Sequence, residues 1–241
     1  MTRTILPVAV LAFVAGCAGS TTNQPVASTP KTPAVAHVAL AGSRPTPEAK
    51  AEAKKAIVHR QPGDFVVFRF SGTFHKGPLT LTERVIAREG TVLTVDFTLS
   101  ETTPKGVKEQ TLRAKIDEKT GGRGEVFDVA KVDAKGATPA TVADWEAMMA
   151  KTVVVADANE QTYGTEEISV KVGTKSVNAD KTTYKVLIGD KSATMSITQS
   201  DGFAWGDLAG EIVSDDGSVI YRAEILESGS APGSFVATDD L

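Results

Sequence analysis

From about Pro62 onward the chain alternates apolar and polar residues. In Phe65–Phe74, Val66, Phe68, Phe70 and Phe74 fall on one face, and Arg69, Ser71 and Thr73 on the other. Leu79, Leu81, Val85 and Ala87 repeat the pattern, with Glu83 interrupting their apolar face. Leu93, Val95, Phe97 and Leu99 then oppose Thr94, Asp96, Thr98 and Ser100, the cleanest half-buried strand in the chain. Leu112, Ala114 and Ile116 continue it. A turn at Gly121-Gly122-Arg123-Gly124 leads to a strand around Glu125–Val132.

One helix is expected near residues 139–152. Pro139, after Thr138, suits a first helical position, while Thr141 and Asp144 have the spacing of a capping box. Val142, Trp145, Met149 and Thr152/Val153 recur at three- and four-residue steps. Period two returns with Ile168, Val170 and Val172, then Tyr184, Val186 and Ile188. After Gly189-Asp190 come Ala193, Met195 and Ile197, then Ile212. The turn Asp215-Asp216-Gly217-Ser218 precedes Val219, Tyr221, Ala223 and Ile225. Strands joined by short turns predict a mainly β (α+β) domain over residues 62–229. The expected architecture is a curved antiparallel sheet or half-barrel with one helix packed across it.

The 241 residues are 41% hydrophobic, enough for a sizeable core. Twenty-six Lys+Arg against 30 Asp+Glu give a net charge of −4, which excludes a strongly basic nucleic-acid-binding chain. A single Cys excludes an intramolecular disulfide and any multi-cysteine metal site.

Arg3 is the only charge before an uncharged run from Ile5 to Ala15, too short for the roughly 20 residues of a membrane span. A basic start followed by a short apolar run reads as a secretory signal peptide over residues 1–16. The run ends in Val14-Ala15-Gly16-Cys17, which resembles the bacterial lipobox: a branched residue, two small ones, then Cys. The resemblance implies an acylated Cys17 anchoring the chain to a membrane, because several acyl chains exceed what stable anchoring needs. Ala18 after the Cys resembles an outer-membrane address, facing the periplasm. An ordinary signal peptide with an incidental Cys, or a buried N-terminal strand, is the alternative. Residues 17–61 are expected to form a disordered tether rich in Ala, Ser, Thr and Pro, with a frayed helical turn after Pro47. Residues 230–241 read as a flexible tail.

No catalytic constellation emerges, so no enzyme activity, cofactor or metal is expected. His37 lies in the tether, His59 at the domain entrance and His75 beside Lys76-Gly77-Pro78, poorly placed for a His-based site, which needs two or more inside one pocket. Gly-x-Ser-x-Gly is absent. Gly121–Gly124 lacks the Gly-Lys-Ser/Thr ending of a phosphate loop, and Asp215–Ser218 lacks the ligand spacing of an EF-hand. Glu83 and Asp96 are either a carboxylate pair across neighbouring strands or, the better reading, two solvated strand-face acids.

In Asp201-Gly202-Phe203-Ala204-Trp205-Gly206-Asp207-Leu208, glycines flank two large aromatics. Phe203 and Trp205 either present an exposed tip to a membrane or partner, or fold back to plug one end of the sheet.

Strands, one helix and further strands behind a signal peptide resemble the lipoprotein-carrier (LolA/LolB-like) half-barrel group. Val172-Gly173-Thr174-Lys175 through Lys181 looks like that group's Gly-Thr strand–turn element. Where the following hairpin often carries an aromatic, this chain has Met195 and Ile197. The resemblance implies an apolar cavity lined by Phe68, Phe70, Val95, Phe97, Trp145 and Met149, which otherwise simply fill a core. The expectation is a monomeric, membrane-anchored, non-catalytic envelope lipoprotein. It would bind a lipid or other hydrophobic ligand, or act as an interaction scaffold without a cavity.

Overall fold

In Val92–Thr103 the inward positions Leu93, Val95, Phe97 and Leu99 are all buried, as the alternation of apolar and polar residues requires. The structure, a computed structural model, describes residues 36–38, 58–120 and 124–230. The segment read as a signal peptide, Cys17, most of the expected tether, residues 121–123 of the glycine-rich turn and the expected tail from residue 231 lie outside the described residues.

In chain order the strands are β1 (Ala36–Val38), β2 (Asp64–Ser71), β3 (Leu79–Glu89), β4 (Val92–Thr103), β5 (Gly106–Asp117), β6 (Glu125–Asp133) and β7 (Gly136–Ala140). Helix α1 (Val142–Met149) follows and ends in a 3-10 turn, Ala150–Thr152. Next come β8 (Val154–Ala156), β9 (Ala158–Val172), β10 (Lys175–Ile188), β11 (Lys191–Gln199), β12 (Asp207–Ser214) and β13 (Val219–Ser230). Eleven strands form one antiparallel sheet in the order β7-β6-β5-β4-β3-β2-β13-β12-β11-β10-β9, which is not closed into a barrel. β1 and β8 pair separately.

The order is two meanders joined in the middle. β2 to β7 step outward by hairpins, α1 and β8 carry the chain across, and β9 to β13 step back until β13 pairs with β2. The sheet curls so that inward residues of both arms, such as Phe97 on β4 and Met195 on β11, share one core. Helix α1 lies on this inner face, burying Met148 and setting Trp145 edge-on to Phe97 with ring centroids 5.7 Å apart.

Several expectations need correction. The helix begins at Val142, because Thr141 and Asp144 form a reciprocal capping box, whereas Pro139 sits in β7. β7 is a sheet edge, where a residue without an N–H leaves no ladder bond unmade. Within the segment read as disordered tether, Ala36–Val38 forms a strand along β8. Phe74 lies beyond β2 but still packs edge-on to Tyr221 at 5.2 Å. β13 runs to Ser230, one residue past the expected boundary. Glu83 is not a solvated acid: it lies on the inner face, 1% exposed, directly opposite Phe97.

The entrance to the sheet is pinned. Arg60, almost fully buried, donates to the Glu118 carboxylate at 2.8 and 3.2 Å, and Arg88 reaches the same carboxylate at 3.0 Å. Arg88 also donates to the Arg60 carbonyl at 2.8 Å.

Candidate functional site

The residues the sequence marked as cavity lining come together on the inner face. Phe68 and Phe70 on β2 and Val95 on β4 are 0% exposed, and Phe97 is 2% exposed. Trp145 and Met149 on the helix side pack against the same cluster and are partly buried. Phe68, Phe70 and Tyr221 follow one another at ring separations of 6.2 Å. Side chains with no exposed surface have no water-sized space against them, so this part of the face is filled by its own residues.

Trp205 and Phe203 do not form the exposed tip that a membrane or partner contact would use. Trp205 is 7% exposed and Phe203 packs partly buried against it at 5.7 Å. The loop folds back because its own backbone closes it. Ser200 N–H donates to Gly206 O and Gly206 N–H to Phe203 O, both at 2.8 Å. The Ser200 hydroxyl donates to Asn178 O on β10, and Gln199 donates to Asp207 at 2.8 Å. Ser200 escaped the sequence reading, since nothing in its neighbourhood distinguishes it from a solvated loop serine. The indole N–H groups of Trp145 and Trp205 are both buried without a hydrogen-bond partner among the described residues. Such donors usually find a partner, and leaving one unmade costs stability.

The outer face carries a ladder of directly opposed polar pairs. Arg113 clasps Asp96 with two bonds of 2.7 and 2.9 Å, and this hydrogen bonding holds the guanidinium pKa above its ordinary value. Arg222 pairs with Glu211, Arg69 with Glu224 and Lys115 with Asp128. Thr98 and Thr111 share a 2.9 Å bond, and Arg84 lies 5.1 Å over the Phe65 ring. In these four pairs the acid faces the base across one strand spacing, so their charges cancel locally. Glu83 and Asp96, on opposite faces, do not form a carboxylate pair.

His59 is exposed. His75 sits in a turn, with Nδ1 2.8 Å from Gly77 O and Nε2 3.6 Å from Glu101. Among the described residues there is no group of three or more His, Cys, Asp or Glu placed to hold a metal ion. No helix among them is long and apolar enough to cross a membrane.

No family model and no curated protein matches this chain. Among solved structures, the hypothetical protein CT021 from Chlamydia trachomatis matches with a TM-score of 0.42 and 10% identity, over 75% of this chain and 94% of that one. A protein of Bacteroides fragilis, described as exported and with a YmcC-like fold, matches at TM-score 0.35 and 8% identity, over 72% and 99%. A protein of Parabacteroides distasonis described as a lipoprotein matches at TM-score 0.33 and 10% identity, over 72% and 98%. At these scores none of them transfers an activity or a ligand to this chain.

Proposed function

We propose that this chain is a non-catalytic lipoprotein of a bacterial cell envelope, anchored through acylated Cys17. On this reading its folded body acts as an interaction scaffold through its surfaces. The observation that carries the scaffold reading is the filled part of the inner face around Phe68, Phe70 and Val95, which have no exposed surface. The anchor rests on Val14-Ala15-Gly16-Cys17 at the end of the apolar run, and Ala18 supports an outer-membrane address facing the periplasm. Intact-mass spectrometry of the full chain extracted from membranes tests the anchor. Loss of residues 1–16 with an acylated Cys17 is expected, and a free Cys17 thiol in a soluble chain overturns it.

A second reading, in which the body carries a lipid or other hydrophobic ligand as the likeness to lipoprotein carriers implies, is favoured by the two unpartnered indole donors. A ligand oxygen would satisfy them. Native mass spectrometry of the detergent-extracted chain separates the two. The scaffold reading expects a mass accounted for by polypeptide and anchor alone. A stoichiometric extra acyl species, lost on Ala114→Phe, overturns it.

A further inference from the structure

The two ends of the large sheet are guarded differently. β7 is five residues long and carries Pro139, which removes one edge donor. β9 is fifteen residues long and contains no proline. Its first half is irregular, with register shifts against β10 that leave Glu160 and Tyr163 without directly opposed partners. Its second half, Thr165–Val172, runs in unbroken register with β10, and no strand lies beyond it among the described residues. A regular open edge of this length is a template for strand addition.

The side chains on that half determine what fits. Glu167, Ser169 and Lys171 share the exposed outer face. Ile168, Val170 and Val172 turn inward and join Ala179 and Leu208 in a small core cluster. Glu166 is drawn to Lys181 at 3.6 Å, whereas Glu167 and Lys171 make no ion pair among the described residues. An acid and a base placed symmetrically about a small residue are self-complementary in an antiparallel pair. With Ser169 on a two-fold axis, Glu167 faces Lys171 of a second copy, Lys171 faces Glu167, and Ile168 faces Val170. We propose that β9 pairs with β9 of a second copy, antiparallel about Ser169, joining the two sheets edge to edge. This replaces the sequence expectation of a monomer and does not depend on how the chain is anchored.

Directly opposed residues in such a pair have Cα atoms about 4.5–5.5 Å apart, within reach of a disulfide. The full chain carrying Ser169→Cys, extracted in mild detergent and oxidised with copper–phenanthroline, should run as a covalent dimer without reductant. Thr165→Cys is the control, because its two copies would lie about 27 Å apart at about 3.4 Å per residue. Cys17 is common to both variants and cancels. Adding Glu167→Lys to Ser169→Cys sets like charges opposite each other twice, and should lower the dimer yield about threefold or more. Adding Lys171→Glu as well should restore it, which separates lost pairing from lost folding. Equal cross-linking at 165 and 169, no cross-linking at 169, or a yield indifferent to the charge exchange overturns the proposal.

Discussion

The hydroxyl of Tyr221, near the start of β13, donates to the carbonyl oxygen of Thr152 at 3.0 Å, inside the core. Thr152 ends the 3-10 turn after α1, and its own hydroxyl donates back to Met149 O at 2.7 Å. The bond therefore hangs the end of the helix on a central strand. Phe70 and Phe74 hold the Tyr221 ring from two sides. Tyr221→Phe keeps the packing but strands a buried carbonyl, and should destabilise the fold by about 1–3 kcal/mol in urea unfolding. Unchanged stability would show that the helix is held by apolar contact alone.

Gly72 leaves β2 with φ +126°, and a Cβ there would lie 2.7 Å from the carbonyl carbon of Ile220 on β13. The obstacle is backbone, which cannot swing aside as a side chain can. Gly72→Ala should cost about 2 kcal/mol or more, combining backbone strain with the collision. Gly90→Ala, also at positive φ but with nothing near its Cβ, should cost less, and thermal melts of the two variants check the order.

Thr141 caps α1, accepting from the Asp144 N–H at 3.1 Å, while the Asp144 carboxylate accepts from the Thr141 N–H at 2.8 Å. Thr141→Ala should lower stability by about 1 kcal/mol. Thr141→Ser, which keeps the oxygen, should recover most of it.

Asp216 accepts from the hydroxyls of Ser214 and Ser218 and from the Ser218 N–H, which lowers its pKa from 3.8 to about 2. A carboxylate depressed in the folded state adds stability that is present above its unfolded pKa and lost as pH falls through its folded one. The stability gap between the natural chain and Asp216→Asn should be flat above about pH 5 and shrink between about pH 4 and 2. A gap that stays constant across that range would assign the effect to turn geometry instead of charge.

Strands with one face in the core were legible in the sequence, because burial imposes period two on them. β4 is the clearest instance, whereas for the helix the chain offered both Pro139 and the Thr141–Asp144 pair as a start, and the capping box is the one that forms. β9 left no such trace over residues 159–167, since every residue there is exposed and no face selects for apolar side chains. Glu83 misled for the opposite reason: its parity was right, but its chemistry suggested solvent. For the aromatic loop, sequence supplied both arrangements, and the choice lay in backbone bonds such as Ser200 to Gly206 that composition does not encode. The symmetry of Glu167, Ser169 and Lys171 is visible in the sequence. It acquires meaning only once β9 is known to be an edge.

All pairings in the large sheet join consecutive strands except one, β2 with β13. That seam has a temporal consequence. Chains emerge from synthesis amino terminus first, so the β2–β7 meander is complete while β13 has yet to appear. Until then Phe68 and Phe70 stand at a raw margin, and closing it must bring together residues about 150 apart in sequence. The last strand to be made is thus the keystone of the sheet, and a chain truncated before Val219 would leave the edge of β2 that carries Phe68 and Phe70 without its partner strand.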